Sequence, residues 1–279
     1  MITLEELAAE VQDLAPLPAA AAKLAMFAAD ENVEASLIID TIRYDQALTA
    51  RVLRYANSPM AGARFRIRSV KDAVVRLGLG TLLKIAVSAQ VQDQMSTAVP
   101  EYGLGEDEIW KHSVAASLAA ELLMRQHGDK IPPISFTAAL LHDIGKLILA
   151  RYLKAPVQKS IQKLVAEHSM THHQAELEVL GFTHASVGGI IAARWNLGET
   201  ISNAITRHHD IGDDKDAVID VVQIGNLVAK TIGFGLGNEG LNLAADSGAC
   251  KRLGITSRKF EGLCAEVAGL LSSVDDLCA

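Results

Sequence analysis

Apolar residues fall at helical intervals along almost the whole chain. Leu4, Leu7, Val11 and Leu14 open the pattern. Thr3 and Glu6 fit the S/T-x-x-E capping box that starts a helix, and Pro16 and Pro18 stop it. Further helices are expected from about Ala19 to Ala29, Val33 to Tyr44, and Gln46 to the break at Asn57-Ser58-Pro59. After a basic loop, Val70 to Leu77 and Thr81 to Gln94 read as two helices split by Gly78 and Gly80. Ser96 to Glu106, with Pro100, Gly103 and Gly105, reads as a linker. Beyond it, helices are expected over Glu106 to Gln126, Ser135 to Tyr152, 156–168, 171–180, 184–195, 199–208, 215–232 and 257–272. No period-2 run of β-branched residues stands clear of this pattern, and internal repeats are absent. The expectation is an all-α protein, a two-lobed multi-helix bundle with lobes at 1–100 and 105–279, the last part of which, 236–279, is a C-terminal extension.

Composition agrees with that pattern. Apolar residues make up 49% and aromatics only 4%, with strong helix formers dominating. The net charge of −7 argues against binding nucleic acid through bulk electrostatics. Arg64, Arg66, Arg68 and Lys71 make a local basic patch, read here as a solvated loop rather than a phosphate site. Three cysteines, Cys250, Cys264 and Cys278, form no disulfide framework and suit a reducing cytosol. The first ten residues are acidic where a signal peptide would be basic, and no apolar run reaches membrane-spanning length, so a cytoplasmic protein with no membrane partner is expected. Oligomeric state is not readable without knowing which apolar faces stay exposed.

Histidine placement changes the picture. None of the nine precedes His112. His112 lies in WKHSVAA, His142 and Asp143 in LLHDIGK, His184 in GFTHASVGG, and His208 and His209 in ITRHHD. Imidazole and carboxylate are the usual ligands of Fe, Mn, Ni or Zn. His142-Asp143 interrupts an otherwise apolar helix, and such a pair is costly to bury unless partnered or bound to a metal. Neighbours on a helix point about 100° apart, so they share a metal only if other helices close around them. A lone histidine on an apolar helix is more often a hydrogen-bonded core residue, and His208-His209 taken alone could be a solvated helix end. Four separate segments would then have to coincide. His127, His168, His172 and His173 lack such context and are taken as surface residues. Lys146, one turn after His142, faces the same site and could neutralise a phosphate, or else snorkels at the helix flank. GLGNEG at Gly235 to Gly240 matches GxGxxG in letters, but no strand precedes it, so it reads as a flexible loop.

These segments resemble a known superfamily. His-Asp followed by Ile-Gly-Lys looks like the HD metal-dependent phosphohydrolases, and His184 with a downstream His-His resembles their HD-GYP branch. LAPLPAAAAKLA, YDQALTARVLRYANSP and IRSVKDAVVRLGLGTL look like the HDOD family, as do WKHSVAASLAAELL, LLHDIGKLIL, GFTHASVGGIIAARWNL and ITRHH. The likeness covers roughly residues 10–235 and makes 105–235 an HD-like helical lobe. It implies an all-α domain used in signal transduction, usually without a full catalytic metal set. It also implies metal-ligand positions at His112, His142, Asp143, His184, His208 and His209, for one or two divalent ions of Fe, Mn, Ni or Zn. This chain departs from the pattern twice. Asp45-Gln46 stands where the family often has Asp-Pro, and Asn226 stands where active enzymes place a closing Asp. An amide is a poor metal ligand, so one ion of a pair should be held more weakly.

Three functions compete on these residues. A regulatory module would bind a signalling protein partner or a small phosphorylated ligand through a metal-binding or vestigial site. A working phosphohydrolase, acting on a nucleotide or cyclic dinucleotide, would use Asp143 as the bridge between ions and Lys146 as the phosphate grip. The absence of a GYP tripeptide argues against cyclic dinucleotides. A purely structural domain would use its histidines for packing alone.

Overall fold

The computed structural model describes residues 3, 4, 6, 7, 17–28, 33–58, 61, 66–210, 216–239 and 247–278. Within them the regular structure is helical, apart from one isolated bridge between Val99 and Leu104. The helices are α1 (Ala19–Ala28), α2 (Ala35–Arg43), α3 (Gln46–Ala56), α4 (Val70–Met95), α5 (Glu108–His127), α6 (Ser135–Leu141) and α7 (Gly145–Leu149). They continue with α8 (Ala155–His168), α9 (His172–Leu180), α10 (His184–Arg194), α11 (Glu199–Thr206), α12 (Ala217–Thr231), α13 (Ser247–Arg252) and α14 (Ser257–Cys278). The all-α expectation holds. Among the described residues no helix is long and apolar enough to cross a membrane.

Several sequence signals are realised locally. Thr3 and Glu6 exchange the two hydrogen bonds of a capping box; Val11, Leu14 and the stop at Pro16 lie outside the described residues, as does Arg64 of the basic loop. The Gly78 break is a kink inside α4, where φ is 71° and ψ 163°. The expected linker is more than a spacer. Pro100–Tyr102 forms a 3-10 turn, closed by the Val99–Leu104 bridge, and Tyr102 is buried. The α13 turn was not foreseen, and the helix begun at Ser257 runs to Cys278.

The described residues group into two compact units. One comprises Ala15–Gln92 with Arg194–Gly198; the other comprises Met1–Leu14, Asp93–Ala193 and Glu199–Ala279. The larger unit is built around α5, which packs against α6, α12 and α14. Ala115, Ala116, Ala119 and Ala120 keep α5 thin, so α12 can come close enough that Gly225 lies against the Ala116 carbonyl.

The expected long helix over Ser135 to Tyr152 is broken at its most interesting point. α6 ends at Leu141, α7 begins at Gly145, and a 3-10 turn at Ala150–Tyr152 follows. Between α6 and α7 the backbone keeps right-handed dihedrals but bonds three residues back: Ile144 N–H to Leu141 O at 3.0 Å and Lys146 N–H to Asp143 O at 3.0 Å. In such a tightened turn side chains three apart eclipse. That places Lys146 directly over Asp143.

Candidate metal centre

The tightened turn carries His142 and Asp143 into the core of the larger unit, where both are buried. Three other elements bring the remaining residues. His112 sits in the first half of α5, His184 opens α10, and His208 and His209 follow the last turn of α11. α10 can lie on the turn only because Gly145 has no side chain: a Cβ there would strike the His184 carbonyl and the Gly188 amide.

All six residues expected as ligands meet. Asp143 stands between two sets of imidazoles, each of which could hold a metal ion: His112 and His142 with Asp143, and His184, His208 and His209. Its Oδ2 lies 3.4 Å from His112 Nε2 and 3.6 Å from His142 Nε2. Its Oδ1 lies 3.4 Å from His184 Nε2 and 3.8 Å from His208 Nε2. Lys146 is buried rather than snorkelling, and its Nζ donates to Asp143 Oδ2 at 2.9 Å. The same ammonium lies 5.5 Å from the centre of the Tyr102 ring.

Hydrogen bonds on the far side of each ring assign the protons. His112 Nδ1 lies 3.0 Å from Phe234 O, His142 Nδ1 2.7 Å from Ala139 O, and His208 Nδ1 2.6 Å from Ile205 O. A carbonyl only accepts, so in each case Nδ1–H donates and Nε2 keeps a bare lone pair. His184 Nδ1 likewise donates to Glu176 Oε2 at 2.7 Å. Burial pushes His112 down to about 3, with the Lys146 charge adding to it and Asp143 opposing. Burial also lowers His142 and His208. At neutral pH these rings are therefore uncharged, and two bare nitrogens, His112 Nε2 and His142 Nε2, face each other at 3.1 Å. His208 Nε2 and Asp143 Oδ1 are buried without a hydrogen-bond partner. Converging lone pairs beside a carboxylate are what a divalent cation satisfies. Burial alone would raise the Asp143 carboxyl; the Lys146 ammonium and the surrounding histidines hold it well below the usual carboxylate range. Since His112, His142 and His208 are neutral near pH 7, Lys146 carries that effect.

Two residues taken as surface belong to the site. His172 is buried, and its Nδ1 donates to Glu176 Oε1 at 3.1 Å. His173 is half-buried, its ring 4.7 Å from that of His209 and 6.0 Å from that of His184. His127 is also half-buried, lying 2.9 Å from both Leu123 O and Leu253 O, whereas His168 is exposed as expected. Sequence reasoning missed Glu176 and Tyr102. Glu176 is fully buried and collects the Tyr102 hydroxyl at 2.7 Å, His172, and both the ring and the backbone N–H of His184. Its carboxyl is lowered from its ordinary value despite burial, because His184 and His172 favour the charged form. The one available signal was spacing: Glu176 is four residues after His172 and eight before His184. Gly235, which opens GLGNEG, is a seat rather than part of a free loop. At Gly235, φ is 68° and a Cβ would meet the His112 ring at 2.6 Å. Asn226 on α12 is buried, and its Oδ1 has no hydrogen-bond partner.

Comparison with known proteins follows the same outline. The crystal structure of an HDOD domain protein of unknown function from Geobacter sulfurreducens is similar with a TM-score of 0.68 and 28% identity, over 98% of this chain and 95% of that one. A protein of Shewanella amazonensis SB2B, named for a supposed phosphohydrolase activity, shares the fold with a TM-score of 0.66 and 22% identity, over 98% of each chain. An uncharacterized protein of Treponema pallidum (strain Nichols) is 24% identical over 228 residues; these cover 80% of this chain but only 44% of that protein. The HDOD domain profile matches residues 14–211. The chain belongs to the HDOD family.

Proposed function

We propose that this chain is a cytoplasmic signalling module whose HD site holds one or two divalent transition-metal ions, with metal occupancy setting the state in which it meets a protein partner or a small phosphorylated ligand. The observation that carries the reading is the facing pair of bare nitrogens, His112 Nε2 and His142 Nε2, 3.1 Å apart with both Nδ1 atoms committed to carbonyls. Neutral imidazoles in that state repel unless a cation lies between them. His112, His142 and Asp143 would hold one ion; His184, His208 and His209, with the other face of Asp143, would hold the second. Glu176 would fix the His184 ring.

A phosphohydrolase is the second reading, favoured by Asp143 presenting one oxygen to each imidazole set. A divalent ion held there would supply Lewis acidity toward a phosphoryl group. Two features favour regulation instead. Lys146, the candidate phosphate grip, is committed to Asp143, and position 226 offers an amide where a carboxylate would add charge.

The test is metal content per chain, by inductively coupled plasma mass spectrometry on protein purified without a metal-affinity tag. About one or two Fe, Mn, Ni or Zn ions per chain are expected, lost in the His142→Ala/Asp143→Asn variant. A chain that takes up none of these ions on addition contradicts both readings. A metal-loaded chain that hydrolyses nucleotide or cyclic-dinucleotide phosphodiesters favours the second.

A further inference from the structure

The average charge conceals a unit of opposite sign. Ala15–Gln92 carries ten lysines and arginines against six acidic residues, while the rest of the chain carries sixteen against twenty-seven. This basic unit contains none of the metal-site residues.

Within it, α2 and α3 form a helix–turn–helix closed by a tight turn at Tyr44 and Asp45. The turn is pinned twice: Asp45 accepts from the Leu48 N–H at 2.9 Å, and the Thr49 hydroxyl donates to Ile42 O at 2.7 Å. α3 buries Leu48, Val52 and Ala56. Its outer face exposes Gln46, Ala47, Ala50, Arg51 and Arg54. Two alanines let that face approach a surface closely, and the polar residues beside them can donate hydrogen bonds. More cations stand at its far end. The Asn57 side chain donates to Ile67 O at 2.9 Å and accepts from Ile67 N–H at 2.8 Å, holding the exposed Arg66 and Arg68 next to the end of α3. Lys71 follows in the first turn of α4. Among the described residues no carboxylate pairs with Arg51, Arg54, Arg66, Arg68 or Lys71. The nearby acids are occupied elsewhere: Asp45 by the cap, Asp72 by the Ser69 hydroxyl at 2.6 Å, and Asp40 by Arg43 at 3.5 Å.

We propose that this unit binds duplex DNA, with the outer face of α3 in the major groove and Arg66, Arg68 and Lys71 on the flanking phosphates. Each cation that meets a phosphate releases a counterion, which makes a basic face on an acidic protein a local binding site rather than a general one. A helix bearing glutamine, arginine and small residues has the dimensions and donors for base edges. An acidic protein partner fits less well, because the centre of the α3 face lacks the large apolar anchor on which protein interfaces are built. This inference does not depend on the metal site.

The experiment is fluorescence anisotropy of a labelled mixed-sequence DNA duplex titrated with the full chain. Binding is expected with a dissociation constant on the order of 1 μM at about 50 mM salt, weakening at least about tenfold by 200 mM. Arg51→Ala/Arg54→Ala should weaken it by about tenfold or more with an unchanged melting temperature, since both side chains are exposed. No binding at low salt with protein at about 100 μM, or equal binding by that variant, overturns the proposal. Binding of polyglutamate as tight as that of the duplex also overturns it, and points to an acidic protein partner.

Discussion

His112, His142 and His208 share one arrangement at the residue scale: Nδ1–H donates to a backbone carbonyl and a bare Nε2 points toward Asp143. Each is held neutral by burial, with His112 down at about 3. On unfolding, each returns to its ordinary value near 6.5. Below that pH the unfolded chain therefore binds more protons than the folded one, and stability falls as pH falls. Asp143 and Glu176, lowered in the folded state, act in the same direction once pH drops into the carboxylate range. The metal-stripped chain should thus be level in stability above about pH 7 and weaken steadily below about 6.5, by up to about 1.4 kcal/mol per pH unit for each histidine. Urea midpoints measured from pH 5 to 8 check this; equal midpoints at the two ends would mean the rings are charged in the folded protein. The gathering of these six residues was legible because imidazoles interrupt apolar helices, and a buried polar group asks for a partner. Glu176 and Tyr102 were not. A glutamate in the mixed sequence HHQAELEVL looks like any solvated helix residue, and a tyrosine between Pro100 and Gly103 looks like loop. What buries them is contact between α9, α10 and the 3-10 turn, which no local pattern records.

The element that matters most is the turn between α6 and α7. Periodicity read 135–152 as one helix because apolar residues continue through it, and the dihedrals at His142 and Ile144 are indeed helical. What periodicity does not register is a change from four-residue to three-residue hydrogen bonding. That change stacks Lys146 over Asp143. The Ile-Gly-Lys that follows His-Asp then has a physical reason at its centre: Gly145 is where the α10 backbone touches the turn. Gly145→Ala should push α10 away, costing about 1–3 kcal/mol by the usual scale of overpacking. Because His184 rides on α10, metal affinity should fall with it. Thermal melting of the metal-stripped protein and chelator competition on the loaded protein separate the two effects. A variant that keeps both its melting temperature and its affinity would show that α10 can shift without moving His184.

At the scale of the whole molecule, the HDOD match stops at residue 211, yet the larger unit does not. α12 is buried along most of its length against α5, and α13 and α14 close over the two of them. Their attachment includes a part-buried ion pair, with Asp220 inside and Arg252 toward solvent. Arg252 at the end of α13 grips Asp220 on α12 with two bonds, Nη2 to Oδ1 at 2.6 Å and Nε to Oδ2 at 2.8 Å. Asp220 is only 2% exposed, so its carboxylate depends on that guanidinium. Breaking such a pair from one side leaves a buried charge without compensation, which costs far more than the intact pair contributes. Arg252→Ala should therefore destabilise the chain by about 1–3 kcal/mol, and adding Asp220→Asn should restore part of the loss by removing the stranded charge. Urea denaturation of the single and double variants makes the comparison. If the single variant is as stable as the parent, the C-terminal helices are held by Ala249, Leu253, Leu263 and Val267 alone. If the double variant is no better than the single, the loss comes from the packing of the Arg252 stem rather than from charge.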